Sequence, residues 1–407
     1  MKTKQFQVAL FDYFLAVVSI LCFIRIDYLY EFRKMSGVLS LVSLGVFAFI
    51  ALLVTATVIL KRNISMDLVW LIVFVGSLLL ITMFMGRNVW QFFLANSGPL
   101  GLCLLAYYYI IRGKLNILLD SFAVLEVLIY LNLVTTFLFP KGMYSTSLYT
   151  ANWLLGYKNP QIRLILPVLG ISMIRGLEKR NRIGLSSIAL FLCAVLTMIK
   201  VNSSTGILAI IFFGILMFVF LYVFSKRAKW FNLRNISIVF LVINIGLLFL
   251  NIQANFDMLF ESLGKNTTLT GRTQIWEISV VEISRHFVIG HGFLTGKEYT
   301  ELYNLVAAAH PHNYLLYILM QGGIVYLGAL IFGLLYSGSK LGKYPNASGT
   351  VVLMVIASLF FIGLNEALTG NNFLYMFIIL GMNADKFTAP ETPQRLIAHK
   401  RIKITLK

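Results

Sequence analysis

The sequence predicts an all-α fold: one polytopic transmembrane bundle of about twelve spans, with one long outer loop carrying an interfacial helix. Three observations predict it. Hydrophobic residues make up 59% of the 407 and charged residues only 12%, against roughly half and a quarter in soluble domains. The apolar residues come in continuous blocks of roughly twenty, the length that spans about 30 Å of hydrocarbon at 1.5 Å per residue. They do not alternate in ten-residue segments as membrane β-strands do. Helices, which satisfy their own backbone hydrogen bonds in lipid, are therefore the predicted spans.

Taken in order, the apolar runs fall at 8–24, 37–60, 67–85, 91–111, 116–139, 159–174, 184–199, 203–224 and 234–252, and then at 313–336, 349–364 and 371–383. The whole chain, 1–407, reads as a single transmembrane domain. Residues 1–24 lack a small-residue cleavage site and read as the first span, not as a signal peptide. With the N-terminus inside, Lys and Arg favour the inner loops and the tail over the outer loops by two to one. That bias predicts a cytoplasmic-membrane protein with both termini cytoplasmic. It also accounts for the net charge of +18 without nucleic acid, because a basic tail is an ordinary anchor to anionic membrane lipid. Cys22, Cys103 and Cys193 sit inside apolar runs and read as small core residues, not disulfides or metal ligands.

The gap 251–312 faces outside, and a loop this long in a compact bundle is usually functional. Within it Ile275, Trp276, Ser279, Val280, Ile283 and Phe287 recur at helical spacing. They predict a helix at the outer interface, capped by Thr270 or Thr273 and ended by Gly290, Gly292 and Gly296.

Four of the five histidines, His286, His291, His310 and His312, lie in this loop. Histidine exchanges a proton near neutral pH, so the run His310-Pro311-His312-Asn313 is the densest candidate for catalysis; a polar helix cap is the plainer reading. Arg272, at the predicted helix start, presents a fork suited to phosphate oxygens. Arg163 lies just inside a span, where charge is expensive, although snorkelling to the edge would also place it there. Lys158 and Lys200 sit at outer edges too. These cations, with Asn313, form a candidate substrate-binding set around one outward cavity. The sequence holds no Asp-x-Asp, no Gly-rich phosphate loop and no His/Cys set at zinc spacing, so neither a metal nor another cofactor is expected. Asp12, Glu126 and Glu366 are acids in or near spans, and they support a rival reading as a proton-coupled transporter.

The run from His310 to Leu316, followed by Gln321-Gly322-Gly323-Ile324-Val325-Tyr326-Leu327-Gly328, resembles the His-x-His-Asn and Gly-Ile-x-Gly pattern of the O-antigen polymerase and ligase superfamily. Upstream, Gly271-Arg272 with Trp276, and Ile289-Gly290-His291-Gly292-Phe293, are similar to its arginine, tryptophan and glycine segment. The resemblance implies glycosyl transfer at the outer face from a polyprenyl-pyrophosphate-linked oligosaccharide. It implies His312 as the base, with His310 in support, and Arg272 and Arg163 as a metal-free pyrophosphate clamp. Polymerisation of capsule, exopolysaccharide or O-antigen repeats is the expected reaction, alongside flippase and chain-length regulator proteins. A ligase acting on a lipid, protein or wall acceptor is the first alternative. An exporter of the same lipid-linked glycans is the second, and a membrane sensor a more distant one.

Overall fold

The computed structural model describes residues 2–31, 35–146, 149–219, 230–249, 270–305 and 308–390. Parts of the expected eighth and ninth spans (220–224 and 250–252), the first part of the outer loop (to 269), and the basic tail from 391 with His399 lie outside the described residues. Among those described, the fold is all-helical; extended segments meet only in two isolated bridges, Tyr144 with Asn152 and Trp153 with Gly156.

In chain order the helices are α1 (Lys2–Phe23), α2 (Asp27–Glu31), α3 (Ser36–Lys61), α4 (Met66–Phe84), α5 (Val89–Ile111), α6 (Leu115–Ser121), α7 (Ala123–Leu138) and α8 (Ile162–Arg180). They continue as α9 (Leu185–Lys200), α10 (Ser204–Phe218), α11 (Leu233–Phe249), α12 (Thr270–Arg285), α13 (Gly296–Tyr303), α14 (Tyr314–Lys343), α15 (Ala347–Gly363) and α16 (Leu374–Met382). Every apolar run holds a helix, but the fifth is divided at Phe122 between α6 and α7. Among the described residues, five stretches are long and apolar enough to cross a membrane: α3, α4, α5, α6 with α7, and α14. Shorter apolar helices of 10–17 residues occur in α1, α9, α10, α11 and α15. Large apolar side chains stand out from the bundle, Leu60 at 83% exposure and Phe84 and Leu185 at 78% each. Water would not tolerate that belt on a monomer, whereas lipid does; the chain is a multi-pass membrane protein.

The centre of the bundle is short. All of α16 and nearly all of α15 are buried, as a helix apolar on every face must be. α8 lies against α15 so closely that a Cβ on Gly170 would meet Val355 at 2.3 Å. Helix α3, of 26 residues, is peripheral, with 17% of its apolar window buried. The three cysteines are free, Cys103 and Cys193 buried and Cys22 partly so. The 23 residues of α5 separate two polar ends. At one end Arg87, just before α5, meets the loop containing His291. At the other, Arg112 caps α5 and pairs with Asp12 of α1.

Candidate active site

The site begins on α12. Residues four apart share a helix face, so Arg272 and Trp276 point together. The Trp276 indole N–H donates to the Pro311 carbonyl at 2.9 Å, and Arg272 Nη2 reaches Glu366 Oε1 at 3.5 Å. Ile275, Trp276, Ser279 and Ile283 are buried as the periodicity predicts. Their apolar partners include Tyr299, Tyr303, Leu316 and Met320, so this face packs on protein. Phe287 falls beyond the helix end and is half exposed. Thr270 opens the helix and Thr273 lies within its first turn. After the glycines the chain forms α13, which the sequence reading leaves as loop. Its signal was present: Thr295-Gly-Lys-Glu298 is a capping box, and both reciprocal bonds form. Arg87 then fixes this cap by pairing with Glu298 at 3.0 Å.

The glycine motif has a backbone explanation. Helix α14 is broken at Gly323, whose φ of 57° and ψ of −156° are not helical. The chain 287–292 lies against that break and takes up its backbone groups. Ile324 N–H donates to Phe287 O at 2.9 Å and Val325 N–H to Val288 O at 3.2 Å, while His291 and Gly292 N–H donate to Met320 O and Gln321 O, both at 2.8 Å. Non-helical backbone at membrane depth is stable only when satisfied by protein in this way. A Cβ on Gly290 would lie 2.7 Å from the Gln321–Gly322 backbone, and one on Gly323 2.4 Å from Val288 O. The glycines thus lock the loop to the helix that the histidine pair immediately precedes.

Asn313 caps that first turn. Its Oδ1 accepts from Leu316 N–H at 3.1 Å, and its Nδ2 donates to Asn244 Oδ1 at 2.7 Å and Leu364 O at 3.1 Å. Both amide hydrogens are spent in joining α11, α14 and the chain after α15. His312 adopts the left-handed backbone region, φ 50°, a conformation uncommon outside glycine and one that clusters at functional sites. Its N–H donates to His310 Nδ1 at 3.2 Å, and the two rings lie 4.1 Å apart. Because Nδ1 accepts, neutral His310 carries its proton on Nε2. Burial, helped by the neighbouring His312 and the two arginines, pushes His310 down to about 3, so this imidazole is neutral at neutral pH.

The Glu366 carboxylate completes the group. Its Oε2 lies 3.7 Å from His312 Nδ1, with side-chain exposures of 8% and 19%. Its Oε1 faces Arg272 and accepts from Asn159 Nδ2 at 3.4 Å. Asn159 in turn accepts from the Ser203 hydroxyl at 3.0 Å, and Ser203 caps α10. Burial raises the carboxyl's pKa, but the His312 imidazole, Arg272 and Arg163 outweigh it and hold Glu366 at about 2. His312 Nδ1 is buried with no hydrogen-bond partner among the described residues.

Arg163, in the first turn of α8, donates to Ala367 O at 2.7 Å and Thr369 Oγ1 at 3.3 Å. It therefore clasps the segment that bears Glu366. The structure brings His310, His312, Arg272 and Arg163 together. Lys158 lies over the Tyr157 ring at 5.9 Å, and Lys200 over the Phe137 ring at 5.1 Å. Glu366 and Asn159 are the members that sequence reasoning missed. Topology carried the clue, since the run 349–364 returns the chain to the side of the histidine pair.

His310 also lines a cavity of about 680 Å³, together with Arg163, Tyr299, Gln321 and Asn371. His310, His312 and Glu366 offer ligand atoms within 4.8 Å of one another, enough to consider a metal. The donor set suits one poorly: Arg272 already shares the carboxylate, and His310 Nδ1 is occupied by the His312 amide.

Residues 188–332 match the O-antigen ligase family model. The matched segment contains Arg272, Trp276, the glycine lock, both histidines and the break in α14, so the resemblance carried by those motifs holds over it. Arg163, Asn159 and Glu366 lie outside the matched segment and join the site through folding. No curated protein matches the chain.

Proposed function

We propose that this protein is a membrane glycosyltransferase that moves an oligosaccharide from a polyprenyl-pyrophosphate carrier to an acceptor hydroxyl. The observation that carries the reading is the His312–Glu366–Arg272 cluster, seated on the loop that bears the O-antigen ligase motifs. A nucleophile–base–orienter arrangement is recognised by such geometry. In this reading the acceptor O–H gives its proton to His312 Nε2. Nδ1–H then faces ionised Glu366, which stabilises the imidazolium. The acceptor oxygen bonds to the anomeric carbon as the carbon–oxygen bond to pyrophosphate breaks, and the configuration inverts. Pyrophosphate leaves with the electron pair and needs charge stabilisation more than a proton; Arg272 and Arg163 supply it. Buried donors beside a forming anion act without a metal, so EDTA is expected to leave transfer unchanged, and loss restored by a divalent ion would contradict this.

The acceptor we favour is another carrier-linked repeat, giving polymerisation at the outer face of the cytoplasmic membrane, with twelve spans and both termini inside. Flippase and chain-length regulator proteins would act beside it. The ligase reading is the second, favoured by the description of the matched family. Gene deletion, complemented with wild type or His312→Ala, tests both by gel analysis of lipid-linked and surface glycans. Accumulated single repeats support polymerisation. Long chains kept on the carrier support ligation. Normal glycan with His312→Ala would sink the catalytic assignment, and repeats trapped on the cytoplasmic side would indicate transport.

A further inference from the structure

The cavity beside His310 holds two groups that the transfer chemistry leaves unused. Gln321 and Tyr299 line it, and each is 1% exposed. The Gln321 Nε2 and the Tyr299 hydroxyl complete no well-formed hydrogen bond among the described residues, although the amide lies close enough to the Tyr299 and Tyr317 hydroxyls to interact with them weakly. A buried polar atom left bare is costly, so such atoms point to a partner that is bound.

Both groups are held firmly. Gln321 sits in the last turn before the break at Gly323, its carbonyl tied to Gly292 N–H. Tyr299 lies in α13, anchored by the capping box and the Arg87–Glu298 pair. Ligand recognition needs this kind of rigidity.

The lining tells what class of partner fits. The charges at the cavity wall are engaged: Arg25 pairs with Asp27 at 2.8 Å, and Arg163 bonds Ala367 O and Thr369. Arg163 apart, the cavity lining holds no cation without an acid partner. What the wall offers is aromatic surface from Tyr317, Tyr326 and Tyr375 beside the under-satisfied amide and hydroxyl. Aromatic faces with a few fixed hydrogen-bonding groups, around about 680 Å³, suit an uncharged, hydroxyl-rich ring.

We infer that this cavity is the acceptor-sugar subsite, seating the terminal ring of the acceptor glycan, with Gln321 Nε2 donating to one ring hydroxyl and the Tyr299 hydroxyl bonding a second. The hydroxyl to be glycosylated then lies on the His310 side of the cavity, with the His312 ring 4.1 Å from that of His310. This rests on the glycosyl-transfer reading. It divides the substrates: pyrophosphate goes to the arginines on the Glu366 side, and the neutral acceptor to the Gln321 side.

The test is equilibrium binding to purified full-length protein by calorimetry, with two probes. One is the oligosaccharide released by mild acid from the polyprenyl-linked lipids of cells lacking the protein. The other is sodium pyrophosphate. Tyr299→Phe removes one oxygen and keeps the ring; Gln321→Leu keeps the bulk. Each is expected to weaken oligosaccharide binding several-fold, and the pair about tenfold or more, from two lost hydrogen bonds. Pyrophosphate binding is expected to stay within twofold, which also shows the variants folded, and His312→Ala is expected to keep oligosaccharide binding. Unchanged oligosaccharide binding in the double variant would overturn the subsite, as would weakening of both probes alike. If the subsite variants behave as stated while His312→Ala makes normal glycan in cells, the subsite stands and the transfer reading fails.

Discussion

The two ends of the bundle treat buried acids differently. At the end away from the histidines, Asp12 is 1% exposed and saturated: Arg112 meets one oxygen at 2.7 Å, and Lys114 takes the other. Nearby Glu126 pairs with Arg175 at 2.8 Å. Glu178 binds the Thr388 and Ala389 amides and the Thr388 and Ser348 hydroxyls. At the histidine end, Glu366 stands 3.4–3.7 Å from three partners, and His312 Nδ1, Gln321 Nε2 and Tyr299 OH complete no well-formed hydrogen bond among the described residues. Saturated ion pairs hold helices together; under-satisfied polar groups around a strained residue are poised to bind something else. The comparison also bears on the transporter reading, because two of its three supporting acids are committed to fixed cations.

The largest effect expected is at the under-satisfied end. Arg272→Ala should cut glycan transfer by about 10²–10³-fold, the usual cost of losing a fixed charge-stabilising donor, measured with reconstituted protein and lipid-linked donor. An equal loss in the amount of folded protein would mean that Arg272 is structural. Asp12→Asn inverts this pattern. It strips the charge from a buried pair and should cost on the order of 3–5 kcal/mol of stability, read as a lower melting temperature, while transfer per folded molecule holds. A specific-activity defect would erase the distinction between the ends.

Next in size is a pH effect. Unfolded, His310 takes up its proton near its ordinary 6.5; folded, burial holds protonation off until about 3. Between those values the unfolded chain binds the extra proton, so stability falls as pH falls below about 6.5. His291, also pushed down by burial, adds to the same trend. Melting temperature from pH 7.5 to 5 should therefore drop less steeply in His310→Gln than in wild type. Parallel slopes would show that His310 is not the buried neutral group described. Smallest of all, Lys158→Ala and Lys200→Ala should each leave transfer within about twofold, since each ammonium is poised over a ring; a tenfold loss in either would add that lysine to the site.

Much of this was legible in the sequence. Apolar blocks marked the helices, and the period of Ile275, Trp276, Ser279 and Ile283 marked α12. The His310–Asn313 run, Arg272 and Arg163 were singled out, and they meet. What stayed hidden depends on contacts between distant segments. No local pattern says that Asn313 spends its amide on Asn244 and Leu364, or that Arg163 clasps Thr369. The break at Gly323 is invisible to hydropathy because its backbone partners come from 287–292. Glu366 was read as a span acid, since composition alone does not show that its helix delivers it beside His312.

The central claim is that Glu366 acts through His312. The most direct measurement is a double-mutant cycle on transfer rate, with wild type, His312→Ala, Glu366→Gln and the double variant, each checked for folding. A unit of base and orienter is non-additive. His312→Ala is expected to lose about 10²–10⁴-fold, Glu366→Gln a large part of that, and the double variant no more than His312→Ala alone. Losses that multiply in the double variant would show two independent contributions and contradict the account.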